Sequence, residues 1–101
     1  MEDKHMIRHV VLFKLKKENY DEVLSKGAVM LEELPSAISE IGSFEVGKNI
    51  RAGEEAYSLA LISTFENQEK LDAYAVHPAH RAFVDFIVPK SLSIAEMDFN
   101  V

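Results

Sequence analysis

The sequence predicts an α+β fold with the element order β-α-β-β-α-β. Four short apolar runs have the length of strands, and two stretches with capping residues follow a helical period. This order is the split β-α-β arrangement of a ferredoxin-like domain, in which two helices cover one face of a four-stranded antiparallel sheet. Because 101 residues suit a single hydrophobic core, we predict one domain over residues 1–101.

The first strand is predicted over Ile7–Leu15 and the first helix over Asn19–Leu34. The strand is apolar at successive positions, which is typical of a strand covered on both faces. Asn19 is expected to cap the helix, with Glu22 completing a capping box, and Pro35 is expected to end it. The residues that follow a 3.6-residue period and form the predicted buried stripe are Val23, Leu24, Gly27, Leu31 and Leu34.

The second and third strands are predicted to form a hairpin. Ile41–Asn49 is the weaker strand, and its Gly42 and Gly47 indicate a bend or a bulge. Residues Arg51–Glu55 contain a glycine and are expected to turn the chain. Tyr57–Phe65 (Tyr-Ser-Leu-Ala-Leu-Ile-Ser-Thr-Phe) is then predicted as the third strand.

The second helical region is predicted to be broken at His77. Asn67 can cap its start. The ring of Pro78 disfavours a helical conformation at His77, but it suits the first position of a new helix. The residues expected to face inward are Leu71, Tyr74 and Ala75 before the break, and Phe83, Val84, Ile87 and Val88 after it. The last strand is predicted over Ser91–Val101.

Composition excludes several classes of partner and chemistry. A net charge of −6 argues against a nucleic-acid partner, which requires a basic face. The chain has no cysteine, so thiol catalysis and cysteine-ligated metals are excluded. The lysines at positions 14, 16 and 17 are expected to be a solvated strand end. Met1–Met6 has no apolar segment, and no run is long enough to span a membrane, so we expect a cytoplasmic protein.

One face of the sheet is predicted to be apolar without a helix to cover it. Its residues are Val10, Leu12, Ala60 and Ile62, and Phe44 and Val46 add to one of the two faces. A bare apolar patch of this size is unusual on a soluble monomer. We therefore predict a homodimer formed through the open sheet face.

The segment from Tyr74 to His80 concentrates groups that can move protons near neutral pH. His9 falls on the same strand face as Phe13, and it is expected to line the floor of a pocket if that face is the one covered by helices. In one interpretation His80 is a general base and the Tyr74 hydroxyl stabilises an enolate oxygen. In another, His77 and His80 bind backbone groups at the break, and His9 and Tyr74 are core residues.

A zinc site is a further interpretation, but the proline break prevents His77 and His80 from sharing a helix face, and His9 would have to complete it. His5 lies in a charged stretch and is expected to be solvated. The scattered glycines form no phosphate-binding loop. No cofactor is therefore predicted.

Five segments together resemble the stress-responsive A/B barrel (Dabb) family. Arg8–Lys16 resembles its first strand, Leu34-Pro35 the end of its first helix, and Phe65 its third strand. Tyr74–His80 is similar to its aromatic residue followed by His-Pro-x-His, and Asp98-Phe99 to its closing strand. The resemblance covers essentially the whole chain and implies a ferredoxin-like fold in a homodimer whose sheets form an α+β barrel.

The resemblance implies less about activity. Most members have no assigned reaction, but a plant branch includes a polyketide cyclase that uses no metal or organic cofactor. In that enzyme a histidine acts as base and a tyrosine assists, and the matching positions here are His80 and Tyr74. His77 and His9 also match histidines. A further histidine of the cyclase aligns with Leu59, which removes a polar group from the pocket.

Three functions therefore stay open: a protein that binds a small apolar molecule between sheet and helices, a cofactor-independent enzyme, and a purely structural dimeric module. The predicted catalytic residues are His80 and Tyr74, and the predicted ligand-binding residues are His9, His77, Phe13 and Leu59.

Overall fold

The computed structural model describes residues 6–51 and 53–101. The elements in chain order are β1 (Ile7–Leu15), α1 (Tyr20–Ala37), β2 (Phe44–Lys48), β3 (Leu59–Phe65), α2 (Gln68–Val76), α3 (Pro78–Ile87), a 3₁₀ turn (Val88–Lys90) and β4 (Ser91–Asn100). The predicted β-α-β-β-α-β order and ferredoxin-like fold are confirmed. The predictions for the first five residues, including a solvated His5, lie outside the described part.

The four strands form one antiparallel sheet in the order β2-β3-β1-β4. In the centre, His9 lies opposite Ser63 on β3 and opposite Asp98 on β4. The predicted bulge in β2 is wrong, because β2 and β3 pair without interruption from Phe44 to Lys48. The register shift lies instead between β1 and β4, after residue 14.

Alternation along β1 separates the two faces of the sheet. Every second residue from Ile7 to Leu15 is buried, and the residues between them are half-buried. The helices therefore cover the face that carries His9 and Phe13, and the core lies between this face and α1 and α3. Phe44 and Val46 pack on the same covered face, because they pair with Ser63 and Leu61.

Asn19 occupies the N-cap position of the first helix as predicted, but the predicted side-chain cap and the predicted end at Pro35 are wrong. Asn19 has a left-handed backbone conformation with φ of 53°, and its side chain caps nothing. Pro35 lies inside α1 and not beyond it. Pro35 removes one backbone donor and its ring crowds the Leu31 carbonyl, but the Ile38 N–H still reaches the Leu34 carbonyl at 2.9 Å and the helix continues past Pro35.

The second helical region is broken as predicted. His77 is extended, with φ of −65° and ψ of 138°, and Pro78 takes the first position of α3. Asn67 caps α2 by accepting a hydrogen bond from the Lys70 N–H at 2.9 Å. Ala75, which was predicted to face inward, is exposed, because the inward face of α2 is formed by Leu71 and Tyr74.

The uncovered face of the sheet is apolar. Val10 on β1 lies between Ile62 on β3 and Met97 on β4, and Leu12 lies beside Ala60. Ile62 and Met97 are 37% and 64% exposed, so this apolar strip is open to solvent in a single copy of the chain. Among the helices of the described residues, none is long and apolar enough to cross a membrane.

Candidate functional site

The structure brings three of the predicted site residues together at one end of the covered sheet face. The ring of Tyr74 lies 4.4 Å from the ring of His80 and 6.0 Å from the ring of His9, measured between centroids. Phe65 closes the cluster, with its ring 4.9 Å from Tyr74 and 6.3 Å from His9. We call His9, Tyr74 and His80 the histidine end.

Each residue of the histidine end is placed by its own element. Alternation along β1 turns His9 toward the helices, and Tyr74 follows Leu71 on the buried stripe of α2. The break at Pro78 then redirects the chain, so that His80 in the first turn of α3 folds back over Tyr74. The predicted convergence of Tyr74 and His80 across the break therefore has a simple cause in the local sequence.

The hydroxyl of Tyr74 has no partner. Tyr74 is only 1% exposed, and its Oη is the one buried side-chain nitrogen or oxygen of the described residues that makes no hydrogen bond. Burial raises the pKa of Tyr74 well above its ordinary value of 10.0, so the phenol stays protonated and is a hydrogen-bond donor at any physiological pH. A buried donor without an acceptor costs roughly 1–3 kcal/mol.

His80 uses one nitrogen for the fold and leaves the other available. Its Nδ1 lies 3.0 Å from the carbonyl oxygen of Ala75. Because a carbonyl only accepts, the Nδ1–H donates, and the neutral ring keeps an unprotonated Nε2. Burial lowers the pKa of His80 below 6.5, although the Ala75 carbonyl and the more distant Glu96 oppose the shift, so the ring is neutral at neutral pH.

His9 is held by the carboxylate of Asp98, which the sequence analysis named only as part of the closing strand. Its Nδ1 lies 2.5 Å from Oδ1 of Asp98, the residue directly opposite on β4. The His9 side chain is 11% exposed and that of Asp98 46%, so the pair joins a buried ring to the surface. The split β-α-β order requires antiparallel pairing of the first and last strands. This pairing was the sequence signal that could have predicted Asp98 as the neighbour of His9.

His77 caps α3 and does not join the cluster. Its Nδ1 accepts a hydrogen bond from the Ala79 N–H at 3.1 Å, and its own N–H donates to the Tyr74 carbonyl. His77 and His80 thus both bind backbone groups at the break, as one of the two interpretations required. Residues 6–51 and 53–101 contain no group of three or more side chains placed to hold a metal ion.

The two remaining predicted site residues lie on the same face but at its other end. Phe13 and Leu59 are paired across β1 and β3, four residues along each strand from His9 and Ser63, or about 13 Å. Phe13 packs edge-on against Phe83 with ring centroids 5.5 Å apart, and Leu59 is 2% exposed. We call Phe13, Leu59, Phe83 and Ile87 the packed end.

Comparisons with known proteins agree with this architecture. The family model of the Stress responsive A/B Barrel Domain matches residues 7–101. A stress-response A/B barrel domain-containing protein of Arabidopsis thaliana is 30% identical over 97 residues, which cover 93% of this chain and 85% of the relative.

Two solved structures give the same result. A dimeric protein of unknown function with a ferredoxin-like fold from Bacteroides fragilis is 35% identical with a TM-score of 0.86, and the match covers 95% of this chain and 96% of that chain. A Dabb family protein from Mesorhizobium loti is 31% identical with a TM-score of 0.78, over 95% and 96% of the two chains. Neither description assigns a biochemical activity.

Proposed function

The chain belongs to the stress-responsive A/B barrel domain family, and we propose that it binds a small apolar molecule that bears a hydrogen-bond acceptor at the histidine end. The similar proteins of this family are of undefined biochemical role. We regard residues 1–101 as one domain of this type. The unpartnered hydroxyl of Tyr74 carries the proposal. A ligand carbonyl placed beside it would supply the missing acceptor and recover the cost of burying the donor.

The surroundings of the hydroxyl define the ligand. The rings of Phe65, His9 and His80 pack around the ring that carries it, so we propose a ligand with a flat apolar body. The predicted ligand-binding residues Phe13 and Leu59 support the apolar part of the same face, and a ligand would reach them only if the covering helices moved. His77 is proposed to support the site through the break that positions His80.

The binding experiment compares two ligands that differ only in a carbonyl. The cyclic ketone 2-tetralone and the hydrocarbon tetralin are titrated into the parent protein and into Tyr74→Phe, with chemical shifts followed by NMR. We expect the parent to prefer the ketone by about three- to tenfold, and Tyr74→Phe to lose that preference. Ser36→Ala, which removes an exposed hydroxyl near the end of α1, is the control. Equal affinity of the parent for both molecules would contradict the proposal.

A second candidate function is cofactor-independent proton transfer by His80 with assistance from Tyr74. It is favoured by the unprotonated Nε2 of His80 and by the lowered pKa that keeps this base available at neutral pH. In the proposed step, Nε2 takes a proton from the carbon next to the ligand carbonyl. The electron pair of the C–H bond forms the enolate, whose oxygen accepts a hydrogen bond from the Tyr74 hydroxyl.

Exchange of the acidic protons of 2-tetralone with deuterated solvent tests this step. The parent protein should accelerate the exchange above the buffer rate, and His80→Phe and Tyr74→Phe should each abolish the acceleration while remaining folded. Ser36→Ala should leave it unchanged. Binding of the ketone without accelerated exchange would leave the first candidate and reject the second.

We also propose that the open sheet face forms a homodimer. Similar proteins from Bacteroides fragilis and Thermobifida fusca are described as dimeric, and the uncovered strip around Val10, Ile62 and Met97 is apolar. Ile62→Asp should shift the protein to a monomer in light scattering at a concentration where the parent is a dimer. Val29→Asp, on the exposed surface of α1, is the control. A monomeric parent would reject the proposal.

The predicted cytoplasmic location stays a prediction.

A further inference from the structure

A groove lies at the opposite end of the sheet from His9. It has a volume of about 840 Å³ and is bounded by the start of α1, the residues that follow β2 and precede β3, and the start of β4. Its floor is near Leu15, six residues or about 20 Å along β1 from His9. The groove is therefore separate from the histidine end.

Hydrogen bonds around Leu15 fix the floor of the groove. The register between β1 and β4 shifts after Lys14, and the Leu15 N–H donates to the side-chain oxygen of Ser58 at 3.0 Å and not to a strand. Ser58 in turn donates its N–H to the Phe13 carbonyl at 2.7 Å. These bonds, with the one from the Lys16 N–H to the Lys90 carbonyl at 2.9 Å, satisfy the backbone beside the groove, so the groove has a fixed floor.

The walls of the groove combine apolar and aromatic side chains. Tyr20 and Leu24 of α1 form one wall, and Tyr57 and Leu92 form the other. Leu92 is 63% exposed, and Ile50 at the rim is fully exposed. Ligand sites for small molecules are typically mostly apolar concavities of about 300–1,000 Å³, and this groove falls in that range.

The charge of the groove is opposite to that of the chain. Lys14, Lys17 and Arg51 line it against two carboxylates, Asp21 and Glu54, whereas the whole chain has a net charge of −6. Within residues 6–51 and 53–101, none of the three cationic side chains forms an ion pair. The sequence alone explains the lysines at positions 14 and 17 as a solvated strand end. In the structure they are unpaired cations beside the apolar walls of the groove.

From this combination we propose that the groove binds an amphipathic organic anion, with its apolar body between Tyr20, Leu24 and Leu92 and its carboxylate or sulfonate beside Lys14 and Lys17. Hydrogen bonds between an ionised donor and an ionised acceptor are stronger than neutral ones, so the charged head group determines selectivity. The apolar walls supply the contact area. This site is independent of the function proposed for the histidine end.

Decanoate and 1-decanol test the proposal, because they share an apolar chain and differ in the charge of the head group. Both are titrated into the intact protein, below the concentration at which decanoate forms micelles, and binding is measured by calorimetry and by NMR. We expect one decanoate per chain, little binding of decanol, and weaker decanoate binding at higher salt.

Two groove variants are compared with two matched controls. Lys14→Gln with Lys17→Gln should weaken decanoate binding about tenfold, whereas Lys26→Gln with Lys70→Gln removes the same charge outside the groove and should not. Leu92→Ser should weaken binding of decanoate. Val29→Ser should not, because Val29 is an apolar residue on α1 that is also more than half exposed but lies outside the groove.

Three results would overturn the proposal. The first is equal binding of decanoate and decanol. The second is binding that Tyr74→Phe weakens and Leu92→Ser spares, which would locate decanoate at the histidine end. The third is an absence of binding by either molecule, including the case in which a second copy of the chain covers the groove in the assembled protein.

Discussion

The two ends of the covered sheet face are built from different side chains. At the packed end, Phe13 lies edge-on to Phe83. Ile87 packs so close to Gly27 that a Cβ added at Gly27 would lie 3.1 Å from Ile87 Cδ1. At the histidine end, the same sheet and the same helical layer enclose an unpartnered phenol and two imidazoles. Apolar packing explains the first end completely. The second retains a destabilising group that packing alone does not require, which is typical of functional sites.

The largest effect is expected from truncating the packed end. Phe83→Ala should lower the free energy of unfolding by about 3–5 kcal/mol, because it removes a buried ring and leaves a cavity under α3. Urea unfolding at one fixed protein concentration measures the change, since the stability of a dimer depends on concentration. The exposed control Val29→Ala should change stability by less than about 0.5 kcal/mol. A similarly small loss for Phe83→Ala would mean that this end is not tightly packed.

At the histidine end, the largest loss is expected where a buried group loses its partner. Asp98→Ala leaves the His9 Nδ1–H without an acceptor, and the expected loss is about 1–3 kcal/mol, toward the lower value because water reaches the half-exposed Asp98. In a double-mutant cycle, the same substitution should cost little in a His9→Phe background. An equal cost in both backgrounds would show that Asp98 stabilises the protein in another way.

The sequence predicts the packed end better than the histidine end for a physical reason. Alternation along β1 and the helical period near Phe83 each require only that apolar residues share a face, and both are local in the chain. The break at Pro78 was predictable because proline restricts the residue before it. The bond between His9 and Asp98 joins residues 89 positions apart, so it depends on strand order and register.

The errors at the ends of the first helix have a similar origin. Asn19 was expected to cap because of its residue type, but it has a left-handed conformation, not the extended one of a typical cap, and its side chain makes no capping hydrogen bond. Pro35 was expected to stop the helix, but the helix continues to Ala37 with a backbone bond from Ile38 to Leu34. The missing partner of Tyr74 was beyond prediction, because residue types alone do not show which buried group fails to find an acceptor.

A smaller loss is expected when the bond across the helix break is removed. His80→Ala deletes the hydrogen bond to the Ala75 carbonyl, and the free energy of unfolding should fall by about 1 kcal/mol. Urea unfolding of His80→Gln, whose side-chain amide can donate to the same carbonyl, should recover part of the loss. Unchanged stability in His80→Ala would mean that the fold gains nothing from this histidine.

Tyr74→Phe is expected to change stability in the opposite direction. It removes the buried hydroxyl that has no partner and keeps the ring that packs on Phe65 and His80, so the protein should gain up to about 1 kcal/mol. Thermal and urea unfolding should agree on the sign. A loss of stability would show that the hydroxyl already has a bonding partner in the folded protein, and this would remove the basis for a ligand acceptor at this position.

The smallest effect is a change of stability with pH that depends on His80. Burial lowers the pKa of this histidine below 6.5, so the unfolded chain binds the proton more readily than the folded protein. The contribution of His80 to the free energy of unfolding is therefore present above the pKa of the unfolded chain and is lost as the pH falls below that pKa. Among the charged groups nearby, His9 and Arg81 lower the pKa further and Glu96 opposes them. The free energy of unfolding is compared at about pH 7.5 and about pH 5.5 in the parent and in His80→Gln, which lacks the titrating ring but keeps a donor for the Ala75 carbonyl. Carboxylates common to both proteins contribute equally, so the parent should lose more stability on acidification than the variant. Equal losses would mean that His80 is as easily protonated in the folded protein as in the unfolded chain. That result would contradict the argument that His80 is a neutral base at the histidine end.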